Sequence, residues 1–153
     1  VQLGHLPGIL RPVPEGPFDF VLLDVNRVHT VSILYCGCCS TPRHLQLFRA
    51  RWWPATPICP ESGTTFRLLD LYNRLNVQGR LTAHNFWEQL TDGSGIRAVP
   101  DRLELLQLMA REYSHIQLGK RSGRAHHQNG LEYVPNGALV VRCPVFPCLH
   151  INM

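Results

Sequence analysis

The stretch FDFVLLDVNRVHTVSILYCGC, residues 18–38, decides the fold that the sequence predicts. Residues 18–25 form a short run rich in aromatic and branched apolar side chains, which is typical of a β-strand. A two-residue turn follows, and residues 28–35 alternate apolar with polar side chains at a period of two. The pattern therefore predicts a β-hairpin whose second strand leads directly into the Cys-Gly-Cys triplet at residues 36–38.

Two further strands and three helices are predicted around this hairpin. Residues 44–53 alternate in part, and residues 137–142 form a short apolar run. Between them, apolar residues recur at spacings of three and four in segments that begin at Thr64, at Thr82 as an N-cap, and near Pro100. We expect an α+β fold in which a small antiparallel sheet, made of the hairpin and these two strands, packs against three helices.

Composition indicates one folded domain. The chain has 153 residues, of which 44% are hydrophobic and 17% are charged, so it can build one core. Residues 1–17 are rich in proline and glycine and predict an extended lead-in, which leaves residues 18–153 as a single domain. No apolar run reaches the roughly 18 residues of a membrane helix, so we expect no membrane partner. Because the chain starts at Val1, we expect a fragment of a longer protein.

The six cysteines form two local clusters and one single residue, Cys59, which we interpret as structural. Two strands that each run into cysteine favour a shared metal over a disulfide framework, and they favour a reducing compartment. Zinc needs thiolates about 2.3 Å from the ion, held on tight turns. The predicted ligands are Cys36, Cys38, Cys143 and Cys148, with Cys39, His44 or His150 as substitutes. The alternative is that the cysteines are reduced and pack as small apolar side chains.

Positive charge collects in one segment. The net charge is +4, and residues 120–127 are polar and basic with no apolar period. Lys120, Arg121 and Arg124 are the predicted phosphate contacts for DNA, and such binding would weaken with salt. The alternative is a solvated basic loop without a partner.

Three other features have weaker functional interpretations. Asp24 ends the first strand of the hairpin, where RNase H-like nucleases place a metal-binding carboxylate, but no patterned carboxylates accompany it. We expect Asp24 to bind the amides of the hairpin turn instead. Cysteine–histidine nucleophiles are conceivable, although nothing in the sequence pairs them. Of the adjacent Trp52 and Trp53, one is predicted to face the core and the other a contact surface.

Several phrases, in order, resemble one family. They are QLGHLPG (2–8), FVLLDVNRVH (20–29), YCGC (35–38), QLFRARWWPAT (46–56), TFR (65–67), LTD (90–92), KRSGR (120–124) and CPVFP (143–147), followed by Ile151 and Asn152. Together they resemble the Cys-x-Cys cysteine-cluster region that precedes the catalytic domain in fungal KDZ (Kyakuja-Dileera-Zisupton) transposases. One departure is Phe146, which stands where that family has the second cysteine of Cys-Pro-x-Cys-Pro.

The resemblance implies a zinc-stabilised module without catalytic residues that assists a transposase with DNA, in the nucleus. It implies DNA and the rest of the transposase polypeptide as partners, structural Zn²⁺ as the cofactor, and no small-molecule substrate. The alternatives are a protein-interaction module of the same complex that does not touch DNA, and a degenerate RNase H-like nuclease that uses Asp24.

Overall fold

The structure is a computed structural model that describes residues 1–3, 13–37, 41–92, 101–123 and 128–131. The chain divides into two compact units, Val1–Ser114 and His115–Met153. The elements in chain order are β1 (Pro14–Leu23), β2 (Val28–Cys36), α1 (Arg43–Arg49), β3 (Trp52–Pro54), β4 (Ser62–Thr65), α2 (Phe66–Gly79), α3 (Ala83–Asp92) and α4 (Leu103–Arg121). The fold is α+β, as predicted. None of the described helices is both long and apolar enough to cross a membrane.

The hairpin is confirmed, and the sheet built on it is mixed rather than antiparallel. β1 pairs antiparallel with β2, with Phe20 opposite Val31. Four strands lie in the order β2-β1-β4-β3, and β1 runs parallel to β4, with Val21 opposite Ser62. β4 then pairs antiparallel with β3. β4 was not predicted, because Ser62–Thr65 contains no large apolar side chain, and the strand predicted at residues 137–142 lies outside the described residues.

The prediction of one strand over residues 44–53 was wrong. Residues Arg43–Arg49 form α1, a turn follows, and only Trp52–Pro54 pair in the sheet. The partial alternation was misleading, because Gln46 and Leu47 are buried while Leu45 is 42% exposed. Two adjacent buried residues fit the face of a helix and do not fit a half-buried strand.

β1 begins earlier than predicted, inside the proline- and glycine-rich lead-in. The strand starts at Pro14, and its register against β2 shifts between Glu15 and Phe18. Gly16 lies at this irregularity with φ 127°, a backbone conformation that favours glycine. The extended lead-in is therefore partly strand.

The three later helices follow the predicted signals. The Thr65 side chain caps α2 by accepting a hydrogen bond from the Leu68 N–H at 3.2 Å. The Thr82 hydroxyl accepts one from the Asn85 N–H at 3.2 Å at the start of α3. Along α4, the predicted apolar stripe is buried at Leu106, Met109, Ala110 and Tyr113. The apolar period, together with the predicted Thr82 cap of α3, therefore sufficed to place these helices, and the Thr65 cap of α2 is an addition from the structure.

Two packed clusters hold the unit Val1–Ser114 together. The first joins both hairpin strands to α1 and consists of Leu3, Phe20, Leu22, Ile33, Tyr35 and Leu47. The second surrounds Trp53, whose ring contacts Phe48, Phe66 and Tyr113 with centroids 5.1 to 5.8 Å apart. The Trp53 indole N–H donates to Glu112 at 3.1 Å, which satisfies its polar atom. As predicted, one tryptophan of the pair belongs to the core.

Close approach of strands requires glycine at residue 63. A Cβ atom at Gly63 would lie 2.5 Å from the Trp53 carbonyl oxygen and 2.9 Å from the Phe20 ring. Gly63 therefore allows β4 to fit between β1 and β3, with the Phe20 ring lying over it.

Candidate functional site

The first predicted metal ligand, Cys36, is the last residue of β2 and is 1% exposed. It pairs with Pro14 of β1. The following Gly37 N–H donates to the Val13 carbonyl at 2.8 Å. The sheet thus determines the backbone position at which the Cys-x-Cys turn begins.

Gln46 of α1 binds this turn from the other side. Its Oε1 accepts a hydrogen bond from the Cys36 N–H at 2.9 Å, and its Nε2 donates to the Cys36 carbonyl at 3.0 Å. The same Nε2 also donates to the Thr41 carbonyl at 3.0 Å. With only 2% of its surface exposed, Gln46 uses its polar atoms on backbone groups that flank the cysteine turn. We call this arrangement the Gln46 clamp.

Gln46 was not predicted from the sequence, because residues 44–53 were interpreted as a strand. The available signal was a polar residue at a position where a helix starting after Pro42 turns its face to the core, next to Leu47. A buried amide is retained when it satisfies several backbone groups at once.

The predicted ligand set can be followed only in part. Cys36 is disulfide-bonded, contrary to the expectation that the clustered cysteines are metal-bound or reduced, and Cys59 is the free cysteine among those that the structure describes. Cys38, Cys143 and Cys148 lie outside the described residues, as do the substitutes Cys39 and His150. Within the described ranges, no three His, Cys, Asp or Glu side chains are grouped so that they could hold a metal ion. Cys59 is exposed rather than structural.

His44, the third substitute ligand, is half-buried on α1. Its Nδ1 lies 2.9 Å from the Pro57 carbonyl oxygen. A carbonyl can only accept, so Nδ1 carries the proton, and in the neutral ring Nε2 keeps its lone pair. This is the tautomer of histidines that bind a metal through Nε2.

Two of the three predicted phosphate contacts belong to a helix. Lys120 and Arg121 lie exposed in the last turn of α4, whereas the sequence pattern predicted a loop there. Cations stabilise a helix C-terminus by interacting with its dipole, so their place has a structural reason as well. The helix is followed by Gly123, with φ 74°. Arg124 lies outside the described residues.

The Asp24 N–H donates to the Arg27 carbonyl across the hairpin turn at 3.1 Å, but the Asp24 side chain does not bind the turn amides as expected. Its Oδ1 accepts a hydrogen bond from the Thr65 hydroxyl at 2.7 Å. Thr65 also caps α2, so Asp24 connects the end of β1 to the start of that helix. This role explains the carboxylate without a reaction.

Comparison with known proteins identifies a family. A family model described as CxC2 like cysteine cluster associated with KDZ transposases matches residues 1–95. No curated protein and no solved structure matches the chain. The matched range contains the hairpin, the Gln46 clamp and the helices up to α3.

Proposed function

The chain belongs to the CxC2-like family of cysteine clusters associated with KDZ transposases, and on that premise we propose that it is a zinc-stabilised module that assists the transposase in binding DNA. The family is an accessory cysteine cluster and not the catalytic domain of these enzymes. The module would act by positioning DNA or the rest of the polypeptide, with no reaction of its own.

The observation that carries the zinc part of the proposal is the environment of Cys36. Its backbone is held by β1 and by the Gln46 clamp, which fixes the point from which its side chain extends. The Cys36 sulfur is disulfide-bonded in the structure, so the zinc site proposed here requires that this disulfide is reduced. Two thiolates on one zinc ion lie about 3.8 Å apart, given zinc–sulfur bonds of about 2.3 Å in a tetrahedron. A two-electron reductant, such as an external thiol, would have to break the S–S bond before side-chain rotation could bring the two thiolates onto one ion.

Cys38, Cys143 and Cys148 would complete a four-thiolate site with Cys36. Such a closed site leaves no open position for a substrate or water, so the ion would be structural. Zinc binding would stabilise the folded chain, and in small zinc domains this contribution is on the order of 10 kcal/mol at neutral pH.

Metal analysis of the protein purified with a reductant tests this part. We expect about one zinc ion per chain, as a closed four-thiolate site requires, and loss of the ion in Cys36→Ser. The matched control is Cys59→Ser, because Cys59 is exposed and free. Zinc-free reduced protein, or equal zinc loss in both variants, would contradict the proposal. A Cys36 disulfide that persists under reducing conditions would do the same.

The DNA part of the proposal is supported by the exposed basic end of α4. Lys120 and Arg121 carry two charges there, and Arg124 would add a third. Three phosphate contacts predict that log K falls with log salt at a slope of about −2.7, or about 40-fold between roughly 50 and 200 mM salt. Fluorescence anisotropy with random duplex DNA measures this slope.

The double variant Lys120→Ala/Arg121→Ala should reduce that slope by about 1.8. Its control is Arg27→Ala/Arg49→Ala, which removes the same charge from two other exposed arginines. Absence of binding at low salt, or binding without salt dependence, would instead favour a protein-interaction module. Metal-dependent DNA cleavage that disappears in Asp24→Asn would favour the degenerate nuclease.

A further inference from the structure

A cleft of about 630 Å³ opens beside the sheet in the unit Val1–Ser114. Its wall is made by the residues that follow β1, the turn between α1 and β3, and α2 from its first residue to Arg74. The side chains that matter below are those of Asp24, Arg51, Trp52, Arg67, Asp70 and Arg74. The volume lies within the range of about 300–1,000 Å³ that small-ligand sites occupy.

The guanidinium groups of Arg51, Arg67 and Arg74 give the cleft its charge. All three side chains are exposed, and none forms an ion pair with another described residue. Arg67 and Arg74 are seven residues apart on α2 and therefore share one helix face. The N-terminus of α2 opens at the same place and adds the positive end of its dipole.

The two carboxylates of the cleft are engaged elsewhere. Asp24 accepts a hydrogen bond from the Thr65 hydroxyl at 2.7 Å, and Asp70 accepts one from the Tyr113 hydroxyl at 2.5 Å. Three guanidinium groups thus face two carboxylates that already have donors. The guanidinium groups therefore keep N–H donors, and the cleft keeps a net positive charge, with which an anion can interact.

Arg51 occupies its position at a conformational cost. Its φ of 61° is left-handed, at the position after a helix where glycine is usual. Two backbone bonds hold it there: its N–H donates to the Phe48 carbonyl at 2.9 Å, and its carbonyl accepts from the Phe66 N–H at 3.0 Å. A glycine would satisfy the same two bonds without strain, so the retained arginine points to a use for its side chain.

An aromatic wall stands beside these cations. The Trp52 ring is half-buried and stacks on Phe20 with centroids 6.0 Å apart and planes 19° apart. Trp52 is thereby held rigid at the side of the cleft. A rigid aromatic ring next to guanidinium groups is the combination on which single-stranded nucleic acids bind, with bases on the ring and phosphates on the cations.

We propose that this cleft binds one nucleotide unit of single-stranded DNA, with its phosphate between Arg51, Arg67 and Arg74 and its base against Trp52. The inference rests on the proposed association with DNA and assigns a second contact surface, distinct from the end of α4. A single strand fits better than a duplex, because duplex bases are stacked on one another and cannot reach a side-chain ring.

Fluorescence anisotropy with a labelled oligothymidylate tests the proposal. We expect the wild-type slope of log K against log salt to fall by up to about 0.7 in Arg67→Ala/Arg74→Ala, since the cleft holds one phosphate and each neutralised single-strand phosphate contributes about 0.7. The control is again Arg27→Ala/Arg49→Ala, whose side chains do not line the cleft. Trp52→Leu should weaken binding by about 5- to 150-fold if one base stacks on the ring.

Arg51→Gly separates binding from folding. Glycine suits the left-handed backbone, so we expect weaker DNA binding with an unchanged or higher melting temperature. Arg51→Lys should restore part of the affinity. Equal loss in the cleft variant and its control, or full binding by Arg51→Gly, would overturn the proposal.

The outcomes also separate this site from the end of α4. If Lys120→Ala/Arg121→Ala abolishes binding and the cleft variants bind normally, the cleft proposal fails and the proposed function stands. If only the cleft variants lose binding, the cleft stands and the α4 contacts fail. Competition distinguishes the source of the phosphate: thymidine monophosphate or inorganic phosphate that binds as tightly as the oligonucleotide would overturn binding of a strand.

Discussion

Replacing Gln46 by methionine should destabilise the protein strongly, although methionine is apolar and similar in size. The change removes three hydrogen bonds, two of them to the buried backbone of Cys36. An unsatisfied buried backbone group costs about 1–3 kcal/mol, so the two groups of Cys36 together cost about 2–6 kcal/mol. Thr41 is half-buried and adds less, because water can replace its donor. A central estimate is about 4 kcal/mol.

Urea unfolding monitored by tryptophan fluorescence measures this loss. The free energy of unfolding of a domain this size is about 5–15 kcal/mol, so the transition midpoint should move far toward lower urea at an unchanged slope. The control is Gln107→Met on α4, since Gln107 forms no side-chain hydrogen bond to another described residue. We expect it to stay within about 0.5 kcal/mol of the wild type. A Gln46→Met loss below about 1 kcal/mol would refute the clamp.

Gln46→Glu gives the same clamp a pH dependence. The ionised carboxylate can accept from the Cys36 N–H but cannot donate to the Cys36 or Thr41 carbonyls. Burial raises the pKa of the introduced carboxyl above its unfolded value, because the charged form is disfavoured. The protonated form is therefore the better tolerated one. Stability of the variant should be highest near about pH 4 and fall as pH rises through the folded-state pKa, and a flat profile would contradict the geometry.

Three further changes test the rest of the fold. Gly63→Ala, which in an ordinary strand would be mildly stabilising, should lower the free energy of unfolding by about 1–3 kcal/mol in thermal or urea unfolding, because the new Cβ meets the Trp53 carbonyl. Tyr35→Phe should raise it by about 1 kcal/mol, since the buried hydroxyl has no hydrogen-bond partner among the described residues. Burial raises the pKa of Tyr35, so wild-type stability should fall as pH rises above 10.0 while Tyr35→Phe loses less. Thr65→Val removes the cap of α2 and the donor to Asp24, and should cost about 1–2 kcal/mol by the same unfolding measurement.

The parts of the fold that could be predicted are those encoded locally. The hairpin follows from alternation over residues 28–35, and α3 follows from the Thr82 cap and its apolar face. β4 could not be predicted, because Ser62–Thr65 is a strand only through its neighbours on both sides. α1 is short, and its face combines Gln46 with Leu47, so its period was mistaken for that of a strand.

The candidate functional site likewise combines a residue that local pattern identifies with contacts that only the tertiary structure creates. Cys36 was identified by its place at the end of a strand, and that place is confirmed. The Gln46 clamp brings together residues ten positions apart through the packing of α1 on the hairpin. The cleft combines Arg51 with Arg67 and Arg74 only because β4 carries the chain back to the sheet. Arg51 is next to Trp52 in the sequence, but no local pattern relates it to α2.

The parallel pairing of β1 with β4 has a consequence for any shortened version of this chain. Until Ser62–Thr65 has been added, the β1 edge that β4 covers displays free amide and carbonyl groups. Such an edge is a template on which another chain can add a strand. A truncated chain that ends before Thr65 should therefore self-associate on expression, while one that extends through α2 should stay monodisperse. The shortest fragment that we expect to stay monodisperse must therefore include β4, a short strand that contains Gly63. The positions of the cysteines do not determine this limit.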